Sequence, residues 1–184
     1  MRRYRAIDLF FFAGMVVVFE TIMVLAATKW FPGQPYTVSV TAVITAIVMM
    51  RWGMPAALHA ALGGIAFCLA SHGTAQQMVL YAGGNLLSLL AYPLLRRIGE
   101  ERVRQSTGLT LAFGAAVLLL MQLGRALLAA AMGAAGGIIR FFTTDVITML
   151  FTLVVLWIVR RLDGVFENQQ HYLSRIHRTE RGGV

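Results

Sequence analysis

The sequence predicts an all-α integral membrane protein, a compact bundle of six transmembrane helices with both termini in the cytoplasm. The first observation is composition: 58% of the 184 residues are hydrophobic and only 13% are charged. A soluble domain carries about 25% charged residues, so this chain has too few to cover a surface that faces water. The other two observations are six apolar segments and a one-sided distribution of arginine.

The apolar segments follow one another with short polar or turn-forming connections. KWFPGQP closes the first segment, RWG ends the second, Pro55 opens the third, and HGT closes it. RR ends the fourth and the sixth, and GAAGG follows the fifth. A crossing helix needs about 20 residues, so the second segment is short. The segments are 7–28, 36–50, 54–71, 76–95, 109–132 and 141–159.

The positive charges indicate the orientation. Cytoplasmic loops carry an excess of Lys and Arg. Alternating spans place 13 of the 16 Lys and Arg residues on one side of the membrane and only Lys29 and Arg140 on the other. We assign the side with 13 to the cytoplasm. The remaining residue, Arg125, lies within a span. The formal charge of +8 is therefore explained by topology, and no nucleic-acid partner is expected. We predict a six-span domain over 1–160 and a cytoplasmic tail over 161–184, either a short amphipathic helix or a solvated segment.

A set of polar residues interrupts the apolar spans. Given this orientation, Glu20, Arg125 and Asp145 lie in the outer half of the membrane, Asn85 lies about midway, and Gln122 lies one turn from Arg125. Charges inside spans are costly and usually face the bundle interior or a wet cavity. Two hypotheses follow. Arg125 pairs with Glu20 or Asp145 as a lock between helices, or the set converges on a pocket open to the outside.

Residues near the outer face are further candidates for binding. Trp30 and Tyr36 lie in an aromatic loop and are either interface anchors or a lid that stacks on a flat ligand. His72 lies in an outer turn, where it either roofs a pocket or is solvated. Cys68 is expected to be a small core residue, with ligation of a soft metal as the minor alternative.

Small residues repeat four apart in the third span, at Ala56, Ala60 and Gly64. Such rows allow helices to approach closely in membranes, either within one protein or against a partner. The motifs G-x-S-x-G and H-E-x-x-H are absent, as is a P-loop, so we expect neither a membrane enzyme nor ATP hydrolysis by this chain.

The chain resembles the substrate-binding S components of energy-coupling factor (ECF) vitamin transporters. The resemblance covers nearly the whole chain. It rests on six spans in under 200 residues and on the stretches YTVSVT, MMRWG, ALHAALGG, QLGRALLAAAMG, FFTTD and RRLDGVFENQQHYL.

The resemblance implies a function in the bacterial cytoplasmic membrane. An S component captures a vitamin from outside, docks on a membrane coupling protein powered by two ATPase subunits, and topples to release its cargo. Carried onto this chain, Asn85, Gln122, Arg125 and Asp145 become pocket residues. The row Ala56, Ala60 and Gly64 becomes a docking surface, although the first span lacks the small-residue motif often clearest there.

The ligand stays open at this point. Cobalamin is one option, because Cys68 or His72 could approach a cobalt, and a flat heterocycle such as riboflavin is another. No resident cofactor is expected. The alternative function is a small polytopic scaffold that binds protein partners, in which Arg125 is a structural lock.

Overall fold

The computed structural model describes residues 2–33, 38–133, 142, 145–169 and 172–175. This part of the chain is helical throughout and contains no β-strand. The helices are α1 (Arg2–Trp30), α2 (Thr41–Trp52), α3 (Ala56–Ala70), α4 (Ala75–Asn85), α5 (Ala91–Ile98), α6 (Glu100–Gln105), α7 (Thr107–Ala131) and α8 (Val146–Val159).

Within the described residues, three helical runs are long and apolar enough to cross a membrane. They are Arg3–Trp30, Ala75–Ile98 and Thr107–Ala131. Three shorter apolar helices, α2, α3 and α8, have between 10 and 17 residues. A 12-residue helix rises only about 18 Å. The finding therefore supports an all-helical protein with three candidate spans, and the count of six stays a prediction.

Helix α2 forms the centre of the bundle. Eleven of its residues, Thr41 to Arg51, are buried, because α1, α3, α7 and α8 all pack around it. Helix α1 lies at the periphery and packs mainly on α3. Its outer face exposes large apolar side chains, with Phe10 at 81% and Ile7 at 69% exposure. Such a face suits contact with lipid.

A 3₁₀ stretch, Leu86–Leu90, interrupts the predicted fourth span between α4 and α5. It follows directly on the crossing of α4 and α7. At that crossing, a Cβ added to Gly124 would lie 2.1 Å from the carbonyl oxygen of Gly84. The two backbones therefore touch, which only glycine permits at this distance.

The described part of the tail packs against the bundle. Phe166 is fully buried, with its ring centroid 6.5 Å from that of Phe113. The Gln169 side chain is also buried and accepts a hydrogen bond of 3.2 Å from the Tyr4 hydroxyl. Residues 164–169 thus lie on the same end of the bundle as the first turns of α1. Residues 172–175 of the tail are helical.

That end of the bundle also holds a buried ion pair. Arg51, the last basic residue of α2, donates to both carboxylate oxygens of Asp8 at 2.9 and 2.7 Å. Its remaining terminal nitrogen donates to the backbone carbonyls of Gly164 and Val165. Asp8 also accepts from the Trp52 indole at 2.6 Å. One guanidinium therefore joins α1, α2 and the tail.

Candidate functional site around Arg125

Arg125 lies at the centre of a buried polar cluster near the opposite end of the bundle. Its Nε donates to Asn85 Oδ1 at 2.9 Å, and its Nη1 forms an ion pair with Asp145 Oδ2 at 3.1 Å. The Arg125 residue is 7% exposed. Its guanidinium carbon lies 5.0 Å from the centroid of the Tyr81 ring, a cation–π distance. Helices α4, α7 and α8 therefore each contribute to the cluster.

The helix crossing explains why Asn85 and Arg125 meet. Each follows the glycine that makes the backbone contact: Gly84 precedes Asn85, and Gly124 precedes Arg125. A Cβ on Gly84 would lie 2.6 Å from the Arg125 backbone nitrogen. Close approach at the two glycines thus brings the neighbouring polar side chains within hydrogen-bond reach of each other.

Asn85 and Gln122 complete the polar surroundings. Asn85 is 1% exposed, and its amide nitrogen donates to the Ala60 carbonyl of α3 at 2.9 Å. The Gln122 amide points at the same Asp145 oxygen as Arg125, at a longer 3.4 Å. Asn85 is therefore held by α3 while it accepts from Arg125, and Gln122 approaches the carboxylate that Arg125 binds.

Asp145 is the cluster member closest to the protein surface. Its side chain is 14% exposed, and it precedes the first turn of α8 without making a capping hydrogen bond there. A negative charge is favourable at a helix N-terminus. The carboxylate therefore interacts with the α8 dipole while its oxygen remains available to Arg125.

Glu20 belongs to a neighbouring arrangement. Its Oε2 accepts from the Ser39 hydroxyl at 2.9 Å and from the backbone N–H groups of Val40 and Thr41 at 3.0 and 3.2 Å. Val40, the N-cap of α2, supplies no capping side chain, so a residue of α1 caps α2 instead. Glu20 lies close enough to Arg125 for their charges to interact through space, without a direct hydrogen bond.

The structure also brings in residues that the sequence did not indicate. Tyr81 lies against the Arg125 guanidinium, and Phe67 of α3 packs on Tyr81 with a centroid distance of 4.6 Å. Cys68, which the sequence did single out, directly follows Phe67 and is buried. One sequence feature does point to Tyr81: it lies four residues before Asn85, so both residues share one face of the helix.

Other predicted site residues lie apart from the cluster. Trp30 is 71% exposed at the end of α1, and His72 is exposed in the turn after α3 with a positive φ of 55°. Tyr36 lies outside the described residues. The described part of the chain contains no group of three or more His, Cys, Asp or Glu side chains that could hold a metal ion.

The predicted docking row is buried inside the bundle. Ala56 and Ala60 have no exposed surface, and a Cβ on Gly64 would lie 2.6 Å from the Ala82 backbone. The row therefore packs α3 against its neighbours in this arrangement. A partner would have to displace a helix to reach it.

Comparisons with protein-family models, curated proteins and solved structures find no match to this chain. Its own residues and geometry, together with the resemblance described above, are therefore the basis for a functional hypothesis.

Proposed function

We propose that the chain is the substrate-binding membrane subunit of an ECF-type ABC transporter, located in the bacterial cytoplasmic membrane. It would capture a vitamin or related micronutrient from outside and deliver it by toppling on a coupling membrane protein driven by two ATPase subunits. One observation carries the proposal: a buried guanidinium, Arg125, gathers polar and aromatic side chains from several helices around it, namely Asp145, Asn85, Gln122 and Tyr81.

The proposed topology has six spans with both termini inside. The long helices α1 and α7 and the run from α4 to α5 cross the membrane, and α2, α3 and α8 cross together with their flanking residues. The arginine-rich end that holds Asp8 and Arg51 then faces the cytoplasm. The Arg125 cluster, which includes Asp145 directly before α8, then faces outward.

The cluster suits a flat ligand with a hydrogen-bonding edge. A guanidinium offers a planar fork of donors, and a water-poor site strengthens its contacts. Asp145 already balances the charge of Arg125, so a neutral or zwitterionic ligand can bind without burying an unbalanced charge. Tyr81 and Phe67 supply aromatic surface beside the fork. A riboflavin-like heterocycle meets these requirements, and cobalamin, whose cobalt is held by its own ring, is the second option.

A second function is supported by the same ion pair. The 3.1 Å contact between Arg125 and Asp145 also suits a structural lock in a scaffold that binds protein partners. Breaking a buried pair by removing one member costs about 3–5 kcal/mol, whereas replacing both members is often tolerated. The two functions therefore differ in what happens when both charges are removed.

Native mass spectrometry of protein purified from cells grown in vitamin-rich medium tests the proposal. We expect a bound vitamin mass in the unaltered chain and its loss in Arg125→Gln. Arg102→Gln is the matched control, since it removes the same charge from an exposed position at the arginine-rich end. A ligand-free spectrum that stays unchanged when vitamins are added back would contradict the transporter function.

A further inference from the structure

A groove on the outside of the bundle lies between the 3₁₀ stretch and α7. It has a volume of 370 Å³, and all nine residues that line it are leucine or glycine. Its rim is open, because Leu90 and Leu127 are 59% and 56% exposed. Gly83, Gly84 and Gly124 form its floor, where α4 and α7 approach closely. In a membrane, such a surface is in contact with hydrocarbon.

The helix face that carries the groove continues to Arg97, and Arg96 lies beside it in the same turn. Leu90, Leu94 and Arg97 follow at spacings of four and three residues, so they share one face of the run into α5. Leu94 is 49% exposed, and Arg97 is exposed as well. Seven residues separate Leu90 from Arg97, a rise of about 10 Å. This distance leads from the hydrocarbon region into the headgroup region.

The charges at the end of the groove are available to a ligand. In the described part of the chain, no carboxylate lies within ion-pair distance of Arg96 or Arg97. The Arg96 guanidinium lies 6.0 Å from the centroid of the Tyr92 ring. Tyrosine is enriched at the membrane–water interface, which agrees with a headgroup position for this turn.

We propose that this groove and these arginines form one binding site for an anionic phospholipid. One acyl chain lies along the leucines of the groove, and the phosphate is bound by Arg96 and Arg97. Basic sites at the cytoplasmic ends of membrane helices bind anionic headgroups, and each arginine near such a surface contributes measurably. The site rests on the membrane orientation given under Proposed function, but it needs no transported ligand, since its rim of exposed leucines lies on the outside of the bundle.

The test is native mass spectrometry of the purified full chain in detergent with equal amounts of dioleoyl phosphatidylglycerol and dioleoyl phosphatidylcholine. We expect the unaltered protein to retain phosphatidylglycerol preferentially. In Arg96→Gln/Arg97→Gln, its retention should fall roughly tenfold or more, to the level of phosphatidylcholine. In Leu127→Trp, which fills the groove at its exposed rim, retention of both lipids should fall.

Arg3→Gln/Arg102→Gln is the control, because it removes two exposed positive charges from the same end of the bundle but away from the groove. It should leave phosphatidylglycerol retention unchanged. Equal losses in both double variants would show that binding depends only on overall charge and would overturn the site. Unchanged phosphatidylglycerol retention in Arg96→Gln/Arg97→Gln would also overturn the site. So would a dimer mass that Leu127→Trp abolishes, because the groove would then hold a second copy of the chain.

Discussion

The backbone contact between α4 and α7 gives a sharp prediction for Gly124→Ala. The new methyl group would lie 2.1 Å from the Gly84 carbonyl oxygen and 2.8 Å from Leu87 Cβ. An ordinary contact needs at least 3.4 Å, so the helices must separate by roughly 1 Å. Neither neighbour is the flexible end of a side chain, and backbone must therefore move.

The cost of this separation follows from its two consequences. Overpacking in a close-packed interior costs about 1–3 kcal/mol. The separation also lengthens the 2.9 Å hydrogen bond from Arg125 to Asn85, a charge-assisted bond in a buried site. We therefore expect a loss of about 2–3 kcal/mol in the free energy of unfolding. For a chain of this size, that corresponds to an apparent Tm roughly 4–12 °C lower.

Thermal unfolding in detergent, followed by tryptophan fluorescence, measures the effect. Gly14→Ala is the matched control: it lies in helix α1, and a Cβ there meets no atom within 4 Å. It should leave Tm unchanged or raise it slightly, because alanine is the better helix former. If Gly124→Ala unfolds at the same temperature as Gly14→Ala, the close crossing of α4 and α7 is wrong, and the geometry of the Arg125 cluster loses its basis.

Three further predictions concern the opposite end of the bundle. Arg51→Gln leaves the Asp8 carboxylate buried without its partner and should lower the free energy of unfolding by about 3–5 kcal/mol in detergent, whereas adding Asp8→Asn should restore part of it. Phe166→Ala should lower the free energy of unfolding by about 3–5 kcal/mol, because the ring is fully buried. It should also speed trypsin cleavage of the tail. Unchanged cleavage would mean that the tail does not pack on the bundle. The hydrogen bond from Arg104 lowers the pKa of Glu101. The stabilisation of the folded state by ionised Glu101 is therefore fully present above the ordinary pKa of 4.5, and it is lost as pH falls through the lowered pKa. Because Glu101 is largely exposed, that acid-dependent change should be only about 0.3–0.5 kcal/mol, and a thermal-unfolding pH series on Glu101→Gln should lack it.

The long apolar helices were predictable from the sequence, but the details of the crossing were not. Segments 7–28 and 109–132 lie within or close to α1 and α7, because an uninterrupted apolar run has few alternatives to a long helix. The close crossing before the 3₁₀ stretch is a contact between Gly84 and Gly124. Residues 40 positions apart give no local signal of that contact.

The start of α2 shows the same limit. The apolar pattern placed it at residue 36, whereas the helix begins at Thr41. The N-terminus of α2 is set by Glu20 of α1, whose carboxylate accepts hydrogen bonds from the N–H groups of Val40 and Thr41. A capping residue that lies on another helix cannot be recognised from the sequence next to the helix it caps.

The polar set was predictable as a group, but its pairing was not. Hydropathy alone identifies Arg125, Asp145 and Asn85 as polar residues within apolar segments. Whether Arg125 pairs with Asp145 or with Glu20 depends on helix packing, and the structure selects Asp145 while Glu20 caps α2. Tyr81 does not stand out in the sequence, because an aromatic residue in an apolar helix is usually part of the packing.

The most direct test of the proposed function is a native mass spectrum of Arg125→Gln/Asp145→Asn, recorded beside the unaltered chain from the same vitamin-rich medium. The double variant removes both charges of the pair and keeps similar side-chain shapes, so we expect it to fold. If Arg125 binds the ligand, the unaltered chain carries a bound small molecule and the folded double variant does not. A folded double variant that retains the same bound mass would contradict this role and leave Arg125 as a lock between α7 and α8.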